Sequence, residues 1–259
     1  MSLHFHNLRV LEVVSETNDC VSVKLEVTPG LEEQFLYAPG QYLTFKTTIN
    51  DQEVRRSYSI CSAPHEQELR VAIKHVEEGK FSGYANAQLA VGDYLETMLP
   101  AGNFGNCVTD INAPKRYLAF AAGSGITPIF GIMKHVLQEQ SNAQFTLVYG
   151  NKNRGSIIFK EGLEALKNKY MDRLTIHHIF TRETADAPLF NGRINEEKVA
   201  QLAKIIPYKN FDDIFICGPE DMILGLRTFF METVQMQAHN LHFELFSSPD
   251  QPKKANKEW

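Results

Sequence analysis

The stretch YLAFAAGSGITP at residues 117–128 decides the fold class, because it joins an apolar strand to a helix through a tight glycine turn. Gly123 and Gly125 permit a sharp turn and a close approach of the backbone to a phosphate group. Thr127 can cap the following helix, whose free amides would then face an anion. Any strand–turn–helix join can use glycine, however, so the stretch alone leaves a nucleotide site and a purely structural turn equally open.

Downstream of this stretch, the chain repeats the order of strand followed by helix. Apolar runs predict strands at residues 117–122, 145–149, 174–180, 213–217 and 241–246. Helical periods lie between them, at residues 129–138, 160–170, 196–205 and 220–235. This alternation predicts an α/β domain built on a five-stranded parallel sheet with helices on both faces.

Upstream, the chain consists of short strands separated by turns rich in Gly, Pro, Asn and Asp. The strands are predicted at residues 9–14, 20–27, 41–45, 54–60, 69–74 and 94–98, with one helix near 82–89. Six short strands with a single helix predict a six-stranded antiparallel β-barrel. We therefore expect a barrel domain at residues 1–112, an α/β domain at 113–246, and a linker or tail at 247–259, where apolar periodicity is lost.

Composition narrows the classes of function. The chain has 259 residues, of which 43% are hydrophobic and 22% charged, and a formal net charge of −5. These values exclude disorder and give no general attraction for nucleic acid or an anionic membrane. The N-terminus contains neither a signal peptide nor a spanning segment, so no membrane insertion and a cytoplasmic location are expected. The cysteines are too widely spaced to predict a disulfide framework, a metal site or an iron–sulfur cluster.

Two further glycine segments are suited to phosphate binding. Cys217-Gly218-Pro219 ends a predicted parallel strand, and ligands of such sheets bind beyond the carboxyl ends of the strands. Gly79-Lys80-Phe81-Ser82 leads into the single helix of the barrel, where backbone amides and Ser82 are suited to a pyrophosphate. The alternatives are a buried structural cysteine before a turn in the first case and an ordinary helix cap in the second.

One barrel strand combines cations, hydroxyls and an aromatic ring in the sequence RRSYSI, residues 55–60. The period of two puts Arg56 and Tyr58 on one face of the strand and Ser57 and Ser59 on the other. A guanidinium group suits phosphate, and an aromatic ring suits stacking on a flavin. The alternative is an exposed edge strand whose arginines discourage pairing with other chains.

Five motifs, taken in chain order, resemble the ferredoxin–NADP reductase superfamily. The resemblance covers residues 8–246 and rests on Arg56-Ser57-Tyr58-Ser59, Gly79-Lys80-Phe81-Ser82, Gly123-Ser124-Gly125-Ile126-Thr127-Pro128, Cys217-Gly218-Pro219 and Phe243-Glu244-Leu245-Phe246. RRSYSI, YGN at residues 149–151 and IIF at residues 157–159 are similar to oxygenase reductases of the phenylacetyl-CoA epoxidase type.

The resemblance implies that the barrel binds FAD. Arg56 would pair with the FAD pyrophosphate, and Tyr58 would pack on the isoalloxazine with Ser57 nearby. Ser59 would donate a hydrogen bond near flavin N5. The backbone of Ile73 and Lys74 would border the flavin, and the phosphates would be held by Gly79, Lys80, Phe81 and Ser82.

The resemblance also implies that the α/β domain binds a nicotinamide nucleotide. Gly123, Gly125 and Thr127 would contact it, with Thr127 nearest the ring. Cys217, followed by Gly218 and Pro219, would lie beside nicotinamide C4. Glu244 and Phe246 would close the pocket around the flavin, so that the residues implied to be catalytic are Ser59, Cys217 and Glu244.

Cations after the second and third parallel strands favour NADPH over NADH. The second strand continues into Asn151, Lys152, Asn153 and Arg154, whereas NAD-selecting units place an acidic residue there. The third ends in Thr181-Arg182-Glu183, similar to a Ser-Arg-Glu segment of NADP-using relatives. Arg154 and Arg182 are thus candidate 2′-phosphate contacts, unless these cations are merely solvated loop residues, and Asn151 is a further candidate contact of the nucleotide.

The resulting functional hypothesis is an FAD-dependent reductase. It would pass a hydride from NAD(P)H to FAD and then single electrons to an iron–sulfur or other redox protein, such as a ferredoxin or an oxygenase. The alternative is a non-catalytic regulatory subunit that binds nucleotide on the same scaffold. Many relatives continue into a ferredoxin module, so two expectations stay open: a two-domain reductase that serves a separate carrier, or a longer native chain.

Overall fold

The computed structural model describes residues 4–109, 115–185 and 187–246. The predicted domain boundary at 112/113 and the predicted tail at 247–259 lie outside these residues. The described chain contains a six-stranded antiparallel sheet followed by a five-stranded parallel sheet, which confirms the predicted fold class.

The antiparallel sheet closes into a barrel. Its strands are β1 (His6–Thr17), β2 (Cys20–Glu26), β3 (Tyr42–Ile49), β4 (Gln52–Ser59), β5 (Leu69–Lys74) and β6 (Tyr94–Thr97). They are ordered β4-β3-β6-β1-β2-β5. A bridge between Ile60 and Val71 joins the two outer strands, and the Cys61 amide donates to the Arg70 carbonyl at 2.8 Å. The barrel therefore has its two edges paired at this end.

The barrel core is filled by alternate side chains of its strands and by one helix. Val23 and Leu25 of β2 point inward, as the alternation of their sequence requires. Helix α1 (Lys80–Ala87) buries Phe81, whose ring stacks on Phe45 with centroids 5.8 Å apart. The helix begins before the predicted residue 82, because the turn at Gly79 leads directly into it.

All strands of the second sheet are parallel. They are β7 (Arg116–Ala122), β8 (Gln144–Asn151), β9 (Leu174–Phe180), β10 (Asp213–Gly218) and β11 (Leu241–Leu245), ordered β11-β10-β7-β8-β9. The chain runs outward from β7 to β9 and then returns to the other side of β7. The strand order therefore reverses between β7 and β10, and the two glycine turns that follow these strands flank this crevice.

The helices that cover this sheet are α2 (Ile126–Glu139), α3 (Lys160–Lys169), α4 (Glu196–Leu202) and α5 (Glu220–Thr228). Their ends differ from prediction, because periodicity marks core-facing side chains and not backbone bonding. Helix α2 begins three residues early, since a 3₁₀ turn at Gly123–Gly125 runs straight into it. Helix α5 ends early and continues as a π-helical turn, Phe229–Thr233.

Helix α2 packs directly against the barrel. A Cβ atom at Gly131 would lie 2.8 Å from the Ser62 carbonyl oxygen, so only glycine permits this approach. Lys134 and Glu66 form an ion pair across the same contact. None of the helices in the described part of the chain combines the length and apolar character needed to cross a bilayer.

Candidate functional site

Two adjoining cavities lie between the barrel and the parallel sheet. The barrel cavity, of about 440 Å³, is lined chiefly by β4, β5, the start of α1, and residues 244–246. The sheet cavity, of about 760 Å³, is lined by residues that follow β7, β8, β9 and β10. The cavities share four wall residues, namely Lys74, Val76, Ser124 and Phe246. They therefore form one continuous cleft.

Strand β4 contributes most of the side chains predicted for the flavin. The Tyr58 ring lies 5.5 Å from the Phe81 ring and 6.1 Å from the Phe45 ring, measured between centroids. The Ser57 hydroxyl is hydrogen-bonded to the Thr44 hydroxyl at 2.8 Å on the opposite face. Arg56, Ser57, Tyr58 and Ser59 nevertheless all line the barrel cavity, so residues from both faces of this strand contribute to its wall.

The turn before α1 is held by its own serine. The Ser82 hydroxyl accepts a hydrogen bond from the Val76 amide at 3.1 Å and donates to the Gly79 carbonyl at 3.2 Å. A Cβ atom at Gly79 would lie 2.5 Å from the Ser82 oxygen, so glycine is required there. Gly79, Phe81 and Ser82 line the cavity, and the serine hydroxyl acts inside the turn.

Two residues predicted for the flavin contribute no side chain to the barrel cavity, as far as the described residues form its wall. Lys80 is exposed and hydrogen-bonds to Gln52. Ile73 is fully buried in the barrel core, and its carbonyl accepts a hydrogen bond from Asn86 at 3.0 Å. Its neighbour Lys74 lines both cavities and forms an ion pair with Asp19 at 3.5 Å.

Ser59 and Glu244 meet at the boundary between the two sheets. The Ser59 hydroxyl donates a hydrogen bond to Glu244 Oε2 at 3.4 Å. Burial raises the pKa of Glu244 to about 7, and the hydrogen bond from Ser59 opposes this shift only in part. Near neutral pH, the cavity wall therefore contains a carboxyl group that either holds or releases a proton.

The glycine turn after β7 is shaped by two different constraints. Gly123 has a φ of +54° with nothing within 4 Å of its would-be Cβ, so its backbone conformation is what calls for glycine. At Gly125, a Cβ would lie 2.0 Å from the Cys217 carbonyl oxygen, so close packing against β10 calls for it. Thr127 does not cap α2 as predicted: it lies within the helix, and its hydroxyl donates to the Ser124 carbonyl at 3.0 Å.

Cys217 is fully buried at the end of β10. Burial, and to a lesser extent nearby Glu244, raises the pKa of its thiol well above the ordinary value. Among the residues lining either cavity in the described chain, Gly218 and Pro219 are present and Cys217 is not. The thiol is thus a neutral group packed in the core beneath the cleft.

Cations and amides line the outer part of the sheet cavity. Asn151, Lys152, Arg182 and Arg193 all face it. Asn151 is only 6% exposed, and neither polar atom of its side chain has a hydrogen-bond partner among the described residues.

Arg154, predicted to contact the same nucleotide, forms an ion pair with Glu183 and lies over the Phe180 ring. Arg193 was not identified from sequence, because nothing in its surroundings signals a site. Lys152 is one of the cations that follow the second parallel strand, as the sequence indicated, and it directly follows β8.

A group of potential metal ligands lies near the start of β10, at the opposite end of the parallel sheet. One ligand atom each of Cys107, Asp213 and His242 lies within 4.8 Å of the others. Both carboxylate oxygens of Asp213 already have partners: Lys115 at 3.0 Å and His242 at 2.7 Å. The group is therefore a polar cluster around the Lys115–Asp213 ion pair, which sequence spacing could not reveal because its members are far apart in the chain.

Comparisons with known proteins agree with the two-part architecture. Residues 7–105 match the oxidoreductase FAD-binding domain family, and residues 120–228 match the oxidoreductase NAD-binding domain family. The chain is 42% identical over 246 residues to a component of 1,2-phenylacetyl-CoA epoxidase from Escherichia coli K12, covering 95% of this chain and 68% of the relative.

A second relative is the ferredoxin reductase component of 3-ketosteroid-9-alpha-monooxygenase from Mycobacterium tuberculosis H37Rv. It is 32% identical over 253 residues, which cover 95% of this chain and 66% of the relative. The chain thus spans about two thirds of the length of these curated relatives.

Solved structures share the fold. The FAD/NAD-binding domain of nitric oxide dioxygenase from Vibrio cholerae superposes with a TM-score of 0.77 at 23% identity, covering 93% of this chain and 98% of that one. Ferredoxin-NADP+ reductase from Plasmodium falciparum with 2′P-AMP gives 0.72 at 20% identity, covering 93% and 96%.

Proposed function

Because the chain belongs to the FAD- and NAD-binding oxidoreductases of the ferredoxin reductase type, we propose that it transfers a hydride from NADPH to FAD and then passes single electrons to a protein acceptor. The observation that carries the proposal is the wall shared by the two cavities. Hydride transfer requires the nicotinamide and flavin rings in contact, and a continuous cleft between a flavin cavity and a nucleotide cavity meets that requirement.

The residues of the barrel cavity fit FAD. Tyr58 offers an aromatic surface, Arg56 offers a cation for the pyrophosphate, and the turn at Gly79 leaves no room for a side chain beside its backbone. When bound, FAD accepts a hydride and releases electrons one at a time. The protein contributes binding, orientation and exclusion of water.

Ser59 and Glu244 would hold a proton beside the reacting flavin atom. Their hydrogen bond crosses the cleft, and a carboxyl group with a pKa of about 7 exchanges its proton readily at neutral pH. The Thr127 hydroxyl already donates a hydrogen bond to the Ser124 carbonyl, so Thr127 would border the nicotinamide through the rest of its buried side chain. Cys217 would act from beneath, by supporting the turn at Gly125 on its own backbone.

Preference for NADPH is supported by the charges along the sheet cavity. Lys152, Arg182 and Arg193 lie together on its wall, and a 2′-phosphate is the part of NADPH that NADH lacks. Of the two arginines predicted from the sequence, Arg182 is the better candidate to contact the 2′-phosphate, because Arg154 is paired with Glu183.

We propose a ferredoxin-like protein or an oxygenase as the electron acceptor. The two relatives described above carry the names of an epoxidase component and of a reductase component of a monooxygenase. No specific observation favours the regulatory, non-catalytic alternative. The cytoplasmic location expected from the sequence stays a prediction.

Anaerobic stopped-flow spectroscopy tests the proposal. The FAD-loaded protein is mixed with NADPH or NADH, and the visible absorbance of the flavin is expected to bleach, faster with NADPH at low concentration. The reduced protein is then mixed with iron–sulfur proteins and oxygenase components in turn, and reoxidation of its flavin is measured for each. A protein that binds FAD yet is bleached by neither nucleotide contradicts the proposed function.

A further inference from the structure

One buried hydroxyl connects two walls of the sheet cavity. Tyr149 of β8 is fully buried, and its hydroxyl donates a hydrogen bond to the Gly123 carbonyl at 3.0 Å. The Ile126 amide donates to the same carbonyl. The negative end of the Gly123 peptide is thereby directed into the protein and away from the cavity that Gly123 lines.

The same hydroxyl also lies beside the second wall. Tyr149 and Asn151 are separated by one residue on β8, so their side chains lie on the same face of the strand. Asn151 lines the cavity, and both of its buried polar atoms lack hydrogen-bond partners among the described residues. A buried amide in this state gains from a polar ligand, because a buried polar group left without a hydrogen bond is destabilising.

No crowding around a Cβ position accounts for the conformation of the turn at Gly123. Nothing lies within 4 Å of its would-be Cβ, and glycine adopts either sign of φ readily. We therefore attribute the observed φ of +54° to the two hydrogen bonds that its carbonyl accepts, from the Tyr149 hydroxyl and the Ile126 amide. By contrast, Gly125 is held in place by its contact with the Cys217 carbonyl.

We propose that Tyr149 is a positioning residue for the nicotinamide nucleotide, whose hydroxyl holds the Gly123 turn in its binding conformation and sets it at a fixed distance from Asn151. The inference rests on the proposed function, because it concerns the same nucleotide. Tyr149 itself does not touch the ligand, since among the described residues it forms no part of either cavity wall.

The chain offers a matched control in Tyr117. This residue of β7 is equally buried, and its hydroxyl donates to Gln140 at 3.0 Å near the opposite end of the same sheet. Replacing either tyrosine with phenylalanine removes one oxygen atom from the same core. Only Tyr149→Phe releases a nucleotide-binding segment.

The experiment compares Tyr149→Phe with Tyr117→Phe, both loaded with FAD. We expect Tyr149→Phe to raise the NADP+ dissociation constant and the KM for NADPH roughly five- to twentyfold, which is the value of one buried hydrogen bond, with kcat within about twofold. FAD content should stay normal in both variants, and Tm should fall to a similar extent. Tyr117→Phe should leave both nucleotide constants unchanged.

Equal nucleotide affinity in the two variants overturns the inference, and so does a fall in kcat at unchanged KM. If Tyr149→Phe fails to fold, Gly123→Ala tests the same turn, because a Cβ disfavours positive φ without a clash. Unchanged affinity in that variant also counts against the inference. The proposed function fails separately, if the unmodified protein binds no nicotinamide nucleotide.

Discussion

Ser59 at the end of β4 donates a hydrogen bond to Glu244 of β11, so that the barrel and an outer strand of the parallel sheet meet at one pair of side chains. The two residues are 185 positions apart in sequence. Because one partner is a partly buried carboxyl group with a pKa of about 7, the contact depends on pH.

Glu244→Gln should flatten the dependence of stability on pH. The pKa of Glu244 is about 7 in the folded chain against 4.5 for an ordinary glutamate, so the folded state binds this proton more tightly. Stability from this group is fully present below the unfolded pKa and is lost as pH rises through about 7, by roughly 1–3 kcal/mol. Thermal melts of the FAD-loaded variant between pH 5 and 7.5 should lack this loss, whereas exposed Glu197→Gln should retain it.

Tyr58→Ala should weaken FAD binding roughly tenfold or more, because the ring is the aromatic surface of the barrel cavity. Tyr58→Phe keeps the ring and its packing on Phe81, and should bind FAD almost normally. Fluorescence titration of the apoprotein with FAD measures both. Equal losses in the two variants would assign the effect to the hydroxyl and refute stacking.

Arg182→Ala should raise the KM for NADPH about tenfold and that for NADH less than twofold, since the guanidinium group faces the sheet cavity. Arg154→Ala is the control: this arginine is held by Glu183, and its loss should change neither constant by more than about twofold. Steady-state kinetics with both nucleotides decides. Parallel increases for NADPH and NADH in Arg182→Ala would remove the selectivity proposal.

Cys217→Ala should slow flavin reduction about tenfold with FAD still bound, because losing the thiol leaves a space in the core directly beneath the glycine turns that line the sheet cavity. Burial keeps the thiol neutral, so the reduction rate of the unmodified protein should show no thiol titration between pH 6 and 9. Cys20→Ala, which truncates another buried cysteine, should not affect the rate. A normal rate in Cys217→Ala would exclude the cysteine from the reaction.

Both sheets could be predicted from the sequence, because the strands of each sheet leave a regular pattern of apolar residues. Alternation in β2 and strand–helix repetition after β7 are local signals, and local signals survive without knowledge of distant contacts. The same is true of the face on which Tyr58 lies, which follows from the period of two along β4. The glycine turns before α1 and after β7 and β10 were predicted for the same reason, because each is marked by the local sequence.

The partners of individual side chains could not be predicted. Arg154 and Lys80 are basic residues in suitable segments, yet Glu183 engages the first and Gln52 the second. Nothing in the sequence indicates that the Cys217 thiol packs into the core. These outcomes depend on which residues from distant segments arrive beside them, and the sequence pattern contains no record of that.

The contact at Gly131 determines how the molecule can move during turnover. At this contact the backbone of α2 packs directly on the Ser62 carbonyl, with no side chain between them. The barrel and α2 therefore have little freedom to slide or hinge there. We therefore expect the distance between the two proposed cofactor sites to be fixed when the chain folds, so that nucleotides enter and leave without a closing motion of the two domains.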